Sequence, residues 1–588
     1  MSVGNALTRP WRARLVVVAT VLLVAVGTLT AAGPPGHAEV TVTSSAVQGT
    51  DGRTYRATNH LVPLPDRKRA REWLLTWAGD AGGGQGTDPD FLAVIDATKG
   101  SPTYGKVVNT AVLSPQVGSE PHHMQYIWHA GDRVYAGAMF TDTTFVLDVS
   151  KLPEVRLTGI NLGADTPCAS VPDAYWVLRD GTAYGSYMGG PDVSGPCTYS
   201  NGETRVGNGF AGSPGAVVRI GKDGRTLSET PASTREAEMP ELCGNVPALP
   251  QPSCANPHGI QAREDLNRLV VSDFAEVRNY LDPDTVQLDP KLLRTTVRIF
   301  DIADRNNPKL VSVSALPAGP RVDEAVFEEN QMVMETTVTN RRHNKGAFAG
   351  TMAGGAIYYT PDITDPTPEW RQVFDNTAAY RRIDPTGVLS GQLSGGSWLQ
   401  TSPDDRYLFN AVMGSDPRLA PDQNRGLVYV LDIRKLLASG SDPRCRIDTP
   451  DEVTSGGVER DCPAVVDVLP IKGGVGGPTG RVAVGPHWGA MDNFEAGRDG
   501  RYRETSDIKR LATANYFVAQ TGIDGDHRVC MVDFDDRRGR LRLDESFRDE
   551  VDGTPCVNFN RQRWPHGDHG GARPHGVLFA VADAHLGR

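Results

Sequence analysis

The chain has 588 residues, enough for several ordinary domains or one large repeat architecture. Hydrophobic residues at 39% and charged residues at 22% provide a buried core and exclude a disordered chain. The net charge of -11 carries no basic stripe, which argues against a nucleic-acid partner, and 64 glycines with 42 prolines favour strands and turns over helical bundles.

At the N-terminus, Arg9, Arg12 and Arg14 precede the apolar run Leu15 to Val26, and small residues follow up to Ala38. This order predicts a secretory signal over residues 1–38, with the remaining chain secreted or held in the cell envelope. Leu15 to Gly33 is nearly long enough to span a bilayer, so an uncleaved anchor is the alternative, and only then is the membrane a partner. Lys68, Arg69 and Arg71 form a small basic run expected on a solvated face.

Short apolar runs then recur, each closed by a turn former. They end at Asp96 (F-L-A-V-I-D), Asp148 (T-T-F-V-L-D), Gly221 (A-V-V-R-I-G), Asp301 (T-V-R-I-F-D), Asp362 (A-I-Y-Y-T-P-D), Asp432 (L-V-Y-V-L-D) and Asp533 (R-V-C-M-V-D). Successive endpoints lie 52, 73, 80, 61, 70 and 101 residues apart. A four-stranded propeller blade needs roughly 40–50 residues, so these intervals fit blades with loop insertions. Leu178 to Ser186 and Ser402 to Asn410 read as hairpins inside a blade. The expected fold is all-β: a single β-propeller over residues 50–580, with seven blades, closed by a strand near Val577 to Val581. A multi-domain β-sandwich protein is the alternative.

The eight cysteines are even in number and show no C-x-x-C spacing. In an oxidising compartment they are expected to pair in sequence order: Cys168 with Cys197, Cys243 with Cys254, Cys445 with Cys462, and Cys530 with Cys556. Gly207 to Gly212 matches G-x-G-x-x-G, but the strand A-V-V-R-I follows instead of a helix, which excludes a dinucleotide loop. No G-x-S-x-G elbow and no glycosidase-like carboxylate pair stands out.

Among the thirteen histidines, four Pro-His steps share one context: E-P-H-H (His122, followed by His123), N-P-H-G (His258), G-P-H-W (His487) and R-P-H-G (His575). W-P-H-G at His566 is a fifth copy, in a Gly/Asp-rich loop. Proline suits the first residue of a strand and pushes its predecessor extended. A histidine opening the innermost strand of a blade points at the propeller axis, where its counterparts meet it. Neutral imidazoles converging there suit copper, iron, zinc or nickel, whereas magnesium and calcium prefer oxygen. Any one of them alone is as readily a satisfied core histidine.

P-D-F-L-A-V-I-D (Pro89 to Asp96), S-P-T-Y-G-K-V-V (Ser101 to Val108) and S-E-P-H-H (Ser119 to His123) resemble the N-terminal region of the selenium-binding proteins in order and spacing. The G-N-G loop at Gly207, S-P-D-D-R-Y-L-F at Ser402 and V-C-M-V-D-F near the C-terminus run collinear with it. The resemblance implies a seven-bladed propeller with a histidine-bound metal on its axis. It also implies the activity of exported bacterial members: copper-dependent oxidation of methanethiol, a small sulfur substrate, with O2. His122 and His123 match the family's paired histidines, His258 and His575 fall near family histidines, and His487 is placed by its local context.

Copper is the expected cofactor, with iron or zinc as alternatives. Two departures from the family stand out. No cysteine follows the histidine pair in M-Q-Y-I-W-H-A-G, which counts against selenium binding, and Asp173 to Arg179 lacks the family's T-H-T-S-H stretch. The alternative function is a non-catalytic exported propeller, a metal carrier or interaction platform.

Overall fold

The computed structural model describes residues 29–30, 40–65, 71–80, 88–245, 248–280, 290–321, 328–376, 379, 395–414, 425–449, 461–472, 482–483, 485–516, 518 and 524–587. Its strands form seven antiparallel blades of a β-propeller. From the axis outwards, the first blade is built of Ala572–Val581, Glu72–Asp80, Pro89–Asp96 and Val107–Val117, with the hairpin Thr41–Gln48 and Thr54–Leu61 added at its rim. The other innermost strands are Pro121–Met124, Ser170–Val177, Pro257–Arg263, Val333–Val338, Gly396–Thr401 and Trp488–Met491. Each touches the next, and the last returns to Ala572–Val581, so the ring is closed.

The repeat read in the sequence is the third strand of every blade. Pro89–Asp96, Thr143–Asp148, Ala216–Ile220, Thr296–Asp301, Ala356–Thr360, Arg425–Asp432 and Arg528–Asp535 each occupy that place. Blades stack face to face, so these strands are covered on both sides and read as continuous apolar runs. The terminal aspartate has a local task. Its Oδ1 accepts from the backbone N–H two residues on, at 2.9 Å for Asp96 to Thr98, 2.9 Å for Asp148 to Ser150, 2.8 Å for Asp301 to Ala303 and 3.0 Å for Asp432 to Arg434. This Asx turn ends the strand. At Asp533 the carboxylate instead pairs with Lys99 at 2.6 Å and Arg542 at 2.9 Å.

The first blade joins the two ends of the chain. Ala572–Val581 pairs with Glu72–Asp80, placing Phe579 opposite Leu74. The sheet extends before residue 50, since Thr41–Gln48 belongs to it. The predicted signal lies outside the described residues except for Leu29 and Thr30, which pair with Val42 and Thr41. Among the described residues no helix is long and apolar enough to cross a membrane.

All four disulfides join the cysteines in sequence order, and no free cysteine remains. The segment Gly207 to Gly212 runs from the end of the short strand Thr204–Gly207 through a loop into Ala216–Ile220, with no helix behind it. One expectation fails. Arg71 is buried, with its guanidinium 2.6 Å from Asp96 and 2.7 Å from Ser101 Oγ, because a carboxylate at the end of a covered strand needs a cation. Lys68 and Arg69 lie outside the described residues.

Candidate metal centre

The innermost strands open on the same rim of the ring, and in six of the seven the regular pairing breaks near that opening, Trp488–Met491 alone keeping a regular register. Register shifts fall between Pro121 and Met124, Pro172 and Tyr175, Pro257 and Ile260, Val333 and Glu335, Gly396 and Leu399, and Pro574 and Gly576. Such bulges re-aim side chains and are common beside functional sites. The first of them lets the neighbours His122 and His123 share one side, which a regular strand forbids. Glu120 and Val171, each just before a proline, take φ of 46° and 61°, a left-handed conformation that a β-branched valine adopts only when its surroundings impose it.

The five candidate ligands named from the sequence, His122, His123, His258, His487 and His575, converge. His122 Nε2 lies 2.8 Å and His123 Nδ1 3.1 Å from Asp173 Oδ1, while His258 Nδ1 lies 3.3 Å from Asp173 Oδ2. His123 Nε2 meets His487 Nε2 at 3.3 Å, and the rings of His487 and His575 are centred 4.6 Å apart. Two overlapping donor sets result: His122, His123, Asp173 and His258, and His123, His487 and His575. His566 stays apart, with its Nδ1 2.9 Å from Thr110 Oγ1 on the flank of the first blade. Its Pro-His step lies in a turn, so it aims at no axis.

Neighbouring groups fix the donors. Trp488 stacks on His123 with centroids 3.8 Å apart and planes at 21°. Phe274 packs on His258 at 4.8 Å. Ser186 Oγ donates to the carbonyl of His258, and Ser397 Oγ to that of Pro486 at 2.7 Å, so adjacent blades hold the ligand backbones. Gly259 is required: a Cβ there would come 2.8 Å from the Cα of Glu335 on the next innermost strand.

Burial, joined by the neighbouring His122 charge, pushes His123 down to about 3, and burial pushes His258 down to about 4. Burial and the surrounding imidazoles hold His487 and His575 well below the usual histidine range. These rings are therefore neutral and keep their lone pairs at physiological pH. Burial works to raise Asp173, but His258, His123 and His122, whose ring nitrogens face its oxygens, outweigh it and hold the carboxyl well below the usual carboxylate range. Burial drives Glu335 well above the usual range against the pull of Tyr126, whose hydroxyl donates to Oε2 at 2.5 Å. Its Oε1 lies 3.6 Å from His258 Nδ1.

A hydrogen-bonded core explains this cluster poorly. Asp173 Oδ1 and Oδ2, His122 Nδ1, His123 Nδ1, His258 Nδ1, Glu335 Oε1 and both nitrogens of His575 are buried without a hydrogen bond of regular geometry. Buried polar atoms ordinarily find partners. Neutral nitrogen and carboxylate lone pairs facing one space are the donor set of a transition-metal ion.

Asp173 and Glu335 were not among the residues singled out in the sequence. Asp173 carries a legible signal, because Val171-Pro172-Asp173 repeats the Pro-His step with a carboxylate in place of the imidazole. Glu335 carries none: its strand enters through Met332 and Val333 without a proline.

The chain matches no protein-family model and no curated protein sequence. Among solved structures it is similar to a hypothetical selenium-binding protein from Sulfolobus tokodaii, with TM-score 0.53 and 14% identity over 87% of this chain and 94% of that one. It also aligns with the periplasmic gluconolactonase of Pseudomonas aeruginosa, with TM-score 0.44 and 12% identity over 87% and 99% of the two chains. At such identities the likeness is one of fold: this chain is a seven-bladed β-propeller whose axis holds a buried histidine and aspartate cluster.

Proposed function

We propose that the protein is an exported, copper-dependent oxidoreductase of the selenium-binding protein and methanethiol oxidase type, acting on a small thiol with O2. The observation that carries this reading is the axial convergence of five imidazoles and Asp173, with both oxygens of Asp173, His122 Nδ1, His258 Nδ1 and both nitrogens of His575 buried without a regular hydrogen bond. The four disulfides support an oxidising compartment. His122, His123, Asp173 and His258 would hold one ion, or His123, His487 and His575 would do so, and iron or zinc fit the same donors less selectively. Copper bound there supplies a soft acceptor for a thiolate sulfur and a redox couple towards O2.

The protein's own groups supply the rest. Asp173 holds three imidazoles from two blades in orientation. Glu335, kept protonated by burial and anchored by Tyr126, can hold or release a proton at Oε1 beside His258. Trp488 and Phe274 exclude water from the imidazole faces. With methanethiol the balance closes as methanethiol, O2 and water giving formaldehyde, hydrogen sulfide and hydrogen peroxide.

The burial of all five imidazoles, none more than 3% exposed, favours a second reading, a carrier whose ion is enclosed. Metal analysis of the purified protein, coupled to O2 uptake with methanethiol, separates the two. Copper-loaded protein that consumes O2 and releases hydrogen sulfide and peroxide is the expected result. Loaded protein inert towards methanethiol and other small thiols would leave the carrier, and metal-free protein that cannot be reloaded would overturn both.

A further inference from the structure

Methionines gather on the rim of the ring from which the ligand strands start. The second strand of a blade ends on that rim, and in five consecutive blades the residue there follows one pattern: Met139 in G-A-M-F, Met188 in S-Y-M-G, Phe274 in S-D-F-A, Met352 in G-T-M-A and Met413 in A-V-M-G. Four of the five are methionine. Met332 and Met334 join them from the entrance of the fifth innermost strand. Six of the chain's eleven methionines thus belong to one buried cluster of fourteen residues.

Backbone bonds place this crescent against the entrances of the innermost strands. Met139 N donates to Glu120 O at 3.1 Å, Met352 N to Met332 O at 2.8 Å and Met413 N to Gly395 O at 3.0 Å. Phe274 N donates likewise to Asn256 O at 3.0 Å, two residues before His258. Met413 reaches the centre itself, with Sδ 3.4 Å from His487 Nδ1.

Apolar packing alone asks only for hydrophobic side chains of suitable volume, and leucine or valine supplies that elsewhere in these blades. Thioethers add a soft, polarisable donor that prefers Cu(I). All cysteines are in disulfides, so thioether sulfur is the only soft donor the chain offers. We propose that the methionine crescent binds one Cu(I) ion at a site separate from the imidazoles and Asp173, with Met413 linking it to His487. The site does not depend on whether the centre below oxidises a thiol.

Ag(I), a redox-silent stand-in for Cu(I), tests this by titration of the full chain in chloride-free buffer. The His258→Ala/His575→Ala variant, with the lower donors weakened, should still take up one Ag(I). Adding Met188→Leu, Met352→Leu and Met413→Leu, which conserve volume, should weaken that uptake by at least about tenfold. Unchanged uptake after the methionine substitutions overturns the proposal. Should the combined variant fail to fold, X-ray absorption of the Cu(I)-loaded wild type decides: sulfur neighbours are expected, and a shell of nitrogen and oxygen alone refutes the site.

Discussion

The imidazole of His123 meets that of His487 Nε2 to Nε2 at 3.3 Å, while its Nδ1 faces Asp173 at 3.1 Å. One ring thereby serves both donor sets on the axis. His123→Ala should therefore lower metal affinity more than His258→Ala or His575→Ala, each of which leaves one set whole, and each loss should exceed about tenfold. His566→Ala and His527→Ala, which remove histidines outside both donor sets, should stay loaded. Metal content measured across the five variants checks this, and equal loading in all of them would remove the centre.

Acid should destabilise the metal-free protein partly through these rings. His258 is pushed from 6.5 down to about 4 by burial, so between those values the unfolded chain binds a proton that the folded one refuses. Folding stability from this group is present above pH 6.5 and is lost as pH falls, by about 1.4 kcal/mol per pH unit. Buried acids such as Glu335 act in the opposite sense, so the comparison must isolate one ring. Denaturant titrations at pH 7 and 5 should show wild type losing more stability than His258→Gln. Equal slopes would mean that His258 is not held neutral by burial.

Removing the last fifteen residues, 574–588, deletes most of the innermost strand of the first blade and His575 with it. Glu72–Asp80 then presents an unpaired, apolar edge. Exposed edges of this kind recruit other chains. The truncated protein should aggregate in size-exclusion chromatography, and a monomer with unchanged melting would contradict closure by this strand.

Arg71→Ala strips the buried Asp96 of its cation and leaves Ser101 and Thr103 as its side-chain partners. Breaking a buried pair on one side costs about 3–5 kcal/mol. Chemical denaturation of this variant beside Lys99→Ala, whose cation is half exposed and pairs with Asp533, should show the larger loss at Arg71.

The propeller was legible because its signal is local and repeated. Seven runs ending at Asp96 through Asp533 mark one strand per blade, and an Asx turn needs only the aspartate and the next two residues. The disulfides were legible for the same reason, since each closes a short loop, 11 to 29 residues apart in the chain. Arg71 was misread because a charge run carries no mark of what it will face. Its partner Asp96 belongs to a neighbouring strand covered by the next blade.

Composition, the strand repeat and the Pro-His steps by themselves determined a closed β-ring with His122, His123, His258, His487 and His575 at the starts of its inner strands. Only the tertiary structure decided which other groups meet them. Asp173 and Glu335 face the same axis as those histidines from two further blades, and the methionines gather only where second strands end on one rim. The physical reason is ring closure: side chains hundreds of residues apart become neighbours through blade order and bulged register, neither of which is written within a single strand.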